Sequence, residues 1–244
     1  YKPINISSFE VIRKIKKKFK TLKMGHAGTL DPSAEGVLPI AIGKTTKLIS
    51  LISDKIKNYE FEIKWGEQTT TDDKEGEIIE VSKNIPSKEI IEEYLINFIG
   101  NILQKPPMVS AVKINGKRAY QRFRDNEIFE TKERLVRIYS LKLIDQSQDI
   151  ISKISIECGK GFYVRSFARD FGEILNTKAH IYSLKRVKVG NFTEKNSILL
   201  DDLLKISEMA YRIKGFHSSI SVLNDIPAFE IDDNEMLEDI SHGK

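Results

Sequence analysis

The tightest loop of the sequence is built around a single acidic side chain. Residues 25–36 read GHAGTLDPSAEG, in which three glycines surround Asp31 and a proline follows it directly. A carboxylate that a constrained loop exposes can act as a nucleophile or take part in proton transfer. The Asp-Pro pair is also typical of a helix N-cap with proline at the first helical position, which would leave Asp31 without a chemical role. The loop alone permits both interpretations.

Neither a metal site nor a pair of cooperating carboxylates is predicted around this loop. Asp72 and Asp73, in GEQTTTDD, could bind a metal, but a polar loop between two strands explains them more simply. The four histidines are scattered along the chain, so no zinc site is predicted. A glycoside hydrolase would need a second carboxylate beside Asp31, and the sequence offers no candidate. We therefore expect chemistry without a metal.

A second polar cluster lies far downstream, in GKGFYVRSFARDFGE at residues 159–173. Its first two glycines predict a turn out of a strand, and Tyr163 and Arg165 then stand at the entry to a helix. From this position the Arg165 guanidinium could hold a distant carboxylate through two parallel hydrogen bonds. The alternative is a half-buried Tyr163 and an Arg165 that binds a local carbonyl or acid.

Positive charge is concentrated in the first 200 residues. The whole chain has a net charge of +4. Residues 201–244 contain 4 basic and 10 acidic residues, which leaves 35 basic and 25 acidic residues in positions 1–200. A basic body suggests a polyanionic partner, although a generally lysine-rich composition would give the same balance.

Residues 104–135 are the segment that best fits such a partner. They combine a double proline with basic residues and aromatic residues, and they show little periodicity. Cations can bind phosphates and aromatic rings can bind bases, which suits a flexible arm on nucleic acid. An ordinary hairpin excursion would look similar. The residues expected at phosphates are Lys113, Lys117, Arg118, Arg122 and Arg124, and those expected to support the arm by packing are Tyr120 and Phe123.

Short strands and scattered helices surround these segments. Alternation in YEFEIKWG, residues 59–66, predicts a half-buried strand with Tyr59, Phe61, Ile63 and Trp65 on one face. Further strands are predicted at residues 76–82, 134–144 and 150–158. The absence of a regular βαβ alternation predicts an α+β fold with a mixed, largely antiparallel sheet flanked by helices.

Helical spacing predicts four helices, at residues 7–20, 87–99, 164–175 and 198–211. Ser7 has capping-box spacing to Glu10, and Ser87 is an N-cap candidate. The residues expected on the core side of the second helix are Ile90, Ile91, Tyr94, Leu95 and Phe98. Those expected on the core side of the third are Phe167, Phe171, Ile174 and Leu175.

Composition favours a cytoplasmic protein without a membrane span. No run of about 18 apolar residues is present. Cys158 is the single cysteine, so no internal disulfide can form. The sequence begins with Tyr1 and not with Met, from which we expect that residues precede it.

Several of these segments, in this order, resemble the TruB-type pseudouridine synthases, the bacterial tRNA pseudouridine-55 synthases. GHAGTLDPSAEGVLPIAIGKTTKL resembles the catalytic motif of that family. KNYEFEIKWGEQTTTDDKEGEI resembles its strand-loop segment with an active-site tyrosine. QKPPMVSAVKINGKRAYQRFR resembles its RNA-clamping insertion. CGKGFYVRSFARDFGE and HIYSLKRVKVGNF resemble its two downstream motifs, and together these stretches cover most of residues 1–192.

The resemblance assigns roles residue by residue. It implies that Asp31 is the catalytic aspartate and that Tyr59 stacks on the target base. Tyr163 and Arg165 match the downstream catalytic pair, in which Arg165 would orient Asp31. The residues implied at the RNA are His26, which inserts into the RNA loop, Lys23 in a region of basic contacts, and Leu184 beside the uracil.

The sequence departs from the family pattern at a few positions. Asn5 stands where a glycine is usual, Val109 replaces a common aromatic residue, and Lys185 replaces an arginine. These departures concern RNA contacts and not the chemistry. Only about 45 residues follow the catalytic body, fewer than a complete RNA-binding PUA domain needs. The expected division is therefore a catalytic domain at 1–196, with the arm at 104–135, and a C-terminal helix and short tail at 197–244.

The function that the resemblance implies is isomerisation of uridine to pseudouridine at position 55 in the T-loop of tRNA. This reaction adds no atom and transfers no electron, so we expect no cofactor. The expected partner is the T-arm of tRNA, with no membrane and no protein partner, and the expected state is a monomer. An RNA-binding or tRNA-folding chaperone on the same fold is the alternative, against which the intact set of four catalytic positions argues.

Overall fold

The computed structural model describes residues 1–19, 23–148, 150–207 and 214–223, together with residues 236, 238, 239 and 242. The helices are α1 (Ser8–Phe19), α2 (Ile49–Asp54), α3 (Lys88–Leu95), α4 (Ala119–Arg124), α5 (Val164–Ile174) and α6 (Leu200–Lys205). The first strands are β1 (Met24–His26), β2 (Glu35–Gly36), β3 (Ile40–Ile42), β4 (Lys57–Trp65), β5 (Glu67–Thr69) and β6 (Ile78–Val81). The later strands are β7 (Gly100–Gln104), β8 (Lys113–Ile114), β9 (Lys117–Arg118), β10 (Arg134–Gln148), β11 (Ile151–Cys158), β12 (Ala179–Val189) and β13 (Phe192–Thr193).

The main sheet has the strand order β13-β12-β4-β11-β10-β7, and β2 pairs with β12 beside this path. All these neighbours are antiparallel except β2 and β12, which run parallel. Small two-stranded sheets form from β1 with β3, β5 with β6, and β8 with β9. The predicted α+β class with a mixed, largely antiparallel sheet is confirmed.

Helix α5 packs on the central strand β4 and closes the core. The alternation predicted for β4 is confirmed, since its odd-numbered residues are buried from Lys57 to Trp65. Phe61 meets Phe167 edge to face at 5.9 Å between ring centroids, and Trp65 meets Phe171 at 5.5 Å. These aromatic pairs fix the position of α5, and therefore of the side chains in its first turn, relative to the sheet.

The predicted helices form, with corrections to their faces and ends. Ser7 and Ser87 cap α1 and α3 as predicted, because their hydroxyls accept hydrogen bonds from the backbone N–H groups of Glu10 and Ile90. The assignment of three side chains to the core was wrong, since Ile90, Tyr94 and Ile174 are exposed. The last predicted helix, 198–211, is seen as α6 over Leu200–Lys205, and residues 208–211 of the prediction lie outside the described part of the chain. None of the described helices is both long and apolar enough to cross a membrane.

Candidate active site

Asp31 lies in a tight turn that four hydrogen bonds hold in place. The Ser8 hydroxyl at the start of α1 accepts a bond from the Leu30 N–H and donates one to the Leu30 carbonyl, each 2.9 Å long. Asn5 N–H donates to the carbonyl of Pro32 at 2.8 Å. The helix that the Asp-Pro pair would permit does not form: the Ala34 N–H donates to the Asp31 carbonyl at 3.1 Å, and the chain then enters β2. Asp31 is therefore not a helix cap.

The buried side chain of Lys2 binds two carbonyls of this turn. The Lys2 ammonium donates to the carbonyl of Ala34 at 2.5 Å and to that of Pro32 at 3.3 Å. Burial lowers the pKa of Lys2 to about 8, although the charge of Asp31 acts in the opposite direction. A cation that binds backbone carbonyls there rigidifies the segment that follows Asp31.

Arg165 reaches Asp31 from the first turn of α5. Its Nε atom lies 2.9 Å from Oδ2 of Asp31, and the side chain of Arg165 is 5% exposed while that of Asp31 is 35% exposed. The expected bidentate pairing was wrong, because the other two guanidinium nitrogens donate to backbone carbonyls, those of Thr71 at 2.9 Å and Val109 at 2.8 Å. Arg165 thus ties the Asp31 turn to the loop before β6 and to the base of the arm.

The two aspartates after β5 are engaged by arginines and not arranged for a metal. Asp73 Oδ2 lies 3.9 Å from Arg165 Nε, and Asp72 pairs with Arg169 at 2.9 Å. Burial raises the pKa of Asp72 to about 6 against the opposing charge of Arg169. Within the described residues, no group of three or more His, Cys, Asp or Glu side chains could hold a metal ion.

Tyr163 stands directly before α5 and is fixed by an amide. The buried Gln104 side chain accepts a hydrogen bond from the Tyr163 N–H at 2.8 Å and donates one to its carbonyl at 3.0 Å. Burial raises the pKa of Tyr163. The phenol is therefore protonated at neutral pH and can pass on a proton through its hydroxyl.

Tyr59 faces a buried arginine that the sequence did not single out. Tyr59 and Arg186 are direct partners in the pairing of β4 with β12. Burial raises the pKa of Tyr59, and Arg186 opposes this through its charge and a hydrogen bond. Arg186 is 1% exposed, and no ion pair joins it to another described residue. In KRVKV its charge is typical of an exposed strand, so no signal in the sequence indicated burial.

Arg186 forms hydrogen bonds with both ends of the Asp31 loop. Its guanidinium donates to the carbonyl of Gly28 at 2.9 Å and to that of Val37 at 2.8 Å. Gly36 has a φ of +114°, and a Cβ there would lie 2.2 Å from the Arg186 carbonyl oxygen. Only glycine allows this approach, so the contact of the loop with β12 explains Gly36.

The sequence-predicted residues do not all line one cleft. An open cleft has Asp31, Arg165 and Leu184 in its wall. Tyr59, in β4, is 8% exposed and is not part of the lining. His26, in β1, is not part of the lining, and burial lowers its pKa. Lys23 is exposed just before β1.

The arm is a folded unit with its own ion pairs. Strands β8 and β9 form a hairpin, and α4 follows it. Lys117 binds Asp125 at 2.5 Å and also Glu127, which in turn pairs with Arg122. Arg118 donates to the carbonyl of Ala111. Lys113 has no ion pair within the described residues, and Arg124 lies 6.0 Å from the ring of Tyr120, so these two are the least engaged of the five cations predicted at phosphates.

Two family descriptions match consecutive parts of the chain. Residues 16–164 match the TruB family pseudouridylate synthase N-terminal domain, and residues 165–214 match the tRNA pseudouridylate synthase B C-terminal domain. The boundary between the two matches falls inside α5, whose residues pack in the same core as β4.

Curated relatives cover nearly the whole chain. A protein of Caulobacter vibrioides named tRNA pseudouridine synthase B is 41% identical over 234 residues, which are 96% of this chain and 76% of that protein. Its namesake in Sinorhizobium medicae is 42% identical over 241 residues, 96% of this chain and 77% of the relative. A third, in Rickettsia bellii, is 40% identical over 245 residues, 100% of this chain and 83% of the relative.

Solved structures share the fold. A chain from the crystal structure of a Cbf5-Nop10-Gar1 complex is 28% identical with a TM-score of 0.65, and the match covers 83% of this chain and 51% of that one. A chain of an archaeal box H/ACA sRNP Nop10-Cbf5 complex is 22% identical with a TM-score of 0.61, over 83% and 50%. The present chain therefore spans about half the length of these two.

Proposed function

The chain belongs to the TruB family of pseudouridylate synthases, and from this premise we propose that it converts uridine 55 in the T-loop of tRNA to pseudouridine. Isomerisation of uridine in tRNA is the reaction for which its curated relatives are named. The further restriction to position 55 and to the T-loop rests on the motifs of the sequence.

One observation supports the proposal above the others. The carboxylate of Asp31 is partly exposed at the cleft while the arginine that holds it is buried, with 2.9 Å between Oδ2 and Nε. A charged nucleophile fixed in this way stays oriented without losing access to a substrate. In the proposed enzyme Asp31 is the catalytic residue and Arg165 orients it.

The chemistry requires one C–N bond to break and one C–C bond to form. The N1–C1′ bond of uridine is cleaved, the uracil turns over, and C5 then bonds to C1′. C5 loses a proton and N1 gains one, so atoms and electrons balance without a co-reactant. The Asp31 carboxylate attacks the sugar or the base, or assists cleavage of the glycosidic bond. Because its phenol is protonated, Tyr163 serves as a relay for the C5 proton and not as a phenolate base.

The uridine must first leave the stacked RNA loop. Extrusion of a nucleotide costs roughly a few kcal/mol of unstacking. We assign Tyr59 to stacking on the extruded uracil, Leu184 to its apolar edge, and His26 to the space that it vacates. Since Tyr59 is only 8% exposed, its ring meets the base by an edge or after a small displacement of the cleft wall.

We also propose a domain division, an oligomeric state and a cellular location for the protein. Because α5 shares the core of β4, we assign residues 165–196 to the catalytic domain. The proposed C-terminal part, 197–244, begins with α6, whose Leu200 is buried in the same core. The proposed enzyme acts as a monomer without a protein partner, which sedimentation of the protein with and without tRNA would test. Its proposed location is the cytoplasm, where its substrate is.

Release of tritium from tRNA labelled at C5 of uridine tests the function. Wild-type protein should release one equivalent per tRNA, and a transcript with cytidine in place of uridine 55 should release none. Equal release from both transcripts would refute position 55. A protein that binds and refolds tRNA but releases no tritium would be the chaperone of the alternative reading.

A further inference from the structure

One wall of the cleft carries an aromatic ring and a cation that the proposed chemistry does not use. The lining includes Lys74 and Tyr182 beside Asp31 and Leu184. Both residues are exposed, and Tyr182 is 41% exposed. The Lys74 ammonium lies 5.2 Å from the centroid of the Tyr182 ring.

A β-bulge turns Tyr182 outwards. In the pairing of β12 with β4, Ile181 is opposite Ile63 and Ser183 is opposite Glu62, which leaves Tyr182 without a partner. An extra residue of this kind bends its strand and redirects its side chain, and such bulges are frequent beside active sites. The ring of Tyr182 thus stands at the cleft and not in the sheet.

Backbone hydrogen bonds place Lys74 over this ring. Lys74 N–H donates to the Ile181 carbonyl at 3.0 Å, and Ile181 N–H donates to the Asp72 carbonyl at 3.0 Å. The loop that carries Lys74 is therefore attached to β12 at the residue directly before Tyr182. The relative position of cation and ring is set by the backbone and does not depend on long side chains alone.

Within the described part of the chain, Lys74 has no ion-pair partner in the cleft. Arg165 is used by Asp31, with Asp73 close by at 3.9 Å. Among the described residues, no carboxylate lies within ion-pair distance of Lys74, so its contact is the Tyr182 ring. Lys74 is accordingly the cation of the cleft wall that can meet a negatively charged part of the substrate.

From this arrangement we infer that Lys74 and Tyr182 form a subsite for the nucleotide next to the target uridine. A uridine that enters the Asp31 cleft brings its flanking phosphodiester and base with it. The Lys74 ammonium binds the phosphodiester group, and the exposed face of Tyr182 stacks on the neighbouring base. The inference rests on the proposed function and names a contact that governs substrate binding.

Binding of T-arm stem-loop RNA, measured at several salt concentrations, tests the subsite. Lys74→Gln should flatten the log–log salt dependence by about 0.7 to 0.9, the value for one lost phosphate contact. Tyr182→Leu should weaken binding by at least about fivefold, the lower range for loss of one base stack. In turnover, the loss should appear mainly in KM.

The chain supplies a matched control pair. Tyr139 is also 41% exposed, and Arg137 lies over its ring at 5.2 Å, but neither lines the cleft. Arg137→Gln and Tyr139→Leu should bind RNA like the wild-type protein. All four variants should melt near the wild-type temperature, because the changed side chains are exposed.

Modified RNA identifies the contacted nucleotide. Stem-loops with a methylphosphonate or an abasic ribose on the 5′ or the 3′ side of the target serve as probes. On one side of the target, the methylphosphonate should cause no further loss of affinity in the Lys74→Gln variant. On the same side, the abasic ribose should cause no further loss of affinity in the Tyr182→Leu variant. Additive losses on both sides, or losses no larger than in the control pair, would overturn the subsite. Wild-type protein that binds the RNA without releasing tritium would instead refute the proposed function.

Discussion

The Nε atom of Arg165 lies 2.9 Å from Oδ2 of Asp31, and these two side chains differ sharply in their exposure, at 5% and 35%. The arginine also donates to the carbonyls of Thr71 and Val109. One buried guanidinium therefore fixes the Asp31 turn, the loop after β5 and the base of the arm in one geometry. The carboxylate remains the part of this network that a substrate can touch.

Arg165→Lys should lower turnover by about 10- to 100-fold. One ammonium cannot replace donors that point to three different groups, and a lost hydrogen bond to a charged group is worth about 1.5 to 3 kcal/mol. Steady-state tritium release checks the rate, and a thermal melt checks the fold. Near-wild-type turnover in a folded Arg165→Lys protein would remove the orienting role.

Arg186→Met should reduce kcat by about 10-fold or more with little change in KM. The variant leaves the carbonyls of Gly28 and Val37 without their donor, so the Asp31 loop loses a restraint at both ends. The two carbonyls left without a donor should also lower the melting temperature. Arg137→Met on the exposed face of β10 is the control. If kcat followed the melting temperature and nothing else, Arg186 would be a structural residue only.

The ion pairs of the arm separate its cations into two kinds. Neutralising Lys113 and Arg124 to Gln should weaken tRNA binding and flatten the salt slope by about 0.7 to 0.9 for each contact. Lys117 and Arg122 already bind Glu127, so their replacement should disturb the arm more than it changes the slope. Binding isotherms across a salt series measure both effects. An unchanged slope in the Lys113 and Arg124 variant would leave the basic face of α1 as the better RNA surface.

Asp72 should give the protein a characteristic pH dependence of stability. Its folded pKa of about 6 is above the ordinary value of 3.8, so the folded state holds the proton more tightly. The stabilisation is complete below pH 4, is lost as the pH rises to 6, and amounts to about 3 kcal/mol for this difference in pKa. Asp72→Asn should lack this dependence. The test is the free energy of unfolding of both proteins, measured between pH 4 and 8. A difference between the two proteins that stayed constant over this range would contradict the account.

The sequence predicted the elements of the fold better than the details of the site. Alternation in β4 and the serine caps of α1 and α3 are local signals, and they were confirmed. The core face of α3 was partly misassigned because helical spacing does not show which neighbouring apolar residue the sheet covers. Of the two interpretations of the Asp31 loop, the helix N-cap does not hold, and Lys2 and Arg186, distant in sequence, bind the carbonyls of that loop.

Side chains that act through burial could not be recognised in advance. Arg186 and Lys2 are fully buried cations bound to backbone carbonyls, and basic residues in a sequence are usually read as exposed. Gln104 likewise fixes Tyr163 across a long separation in sequence. The assignment of Asp31, Tyr163 and Arg165 to one site came from the family resemblance, and that of Asp72 to an arginine pair needed the structure.

The most direct measurement for the central claim is tritium release by Asp31→Asn under single-turnover conditions. The substitution removes the charge and keeps the shape, so release should vanish while tRNA binds with nearly wild-type affinity. Asp54→Asn, at an exposed aspartate paired with Lys160, is the matched control and should release tritium normally. Release by Asp31→Asn at a rate close to wild type would contradict Asp31 as the catalytic residue and the account built on it.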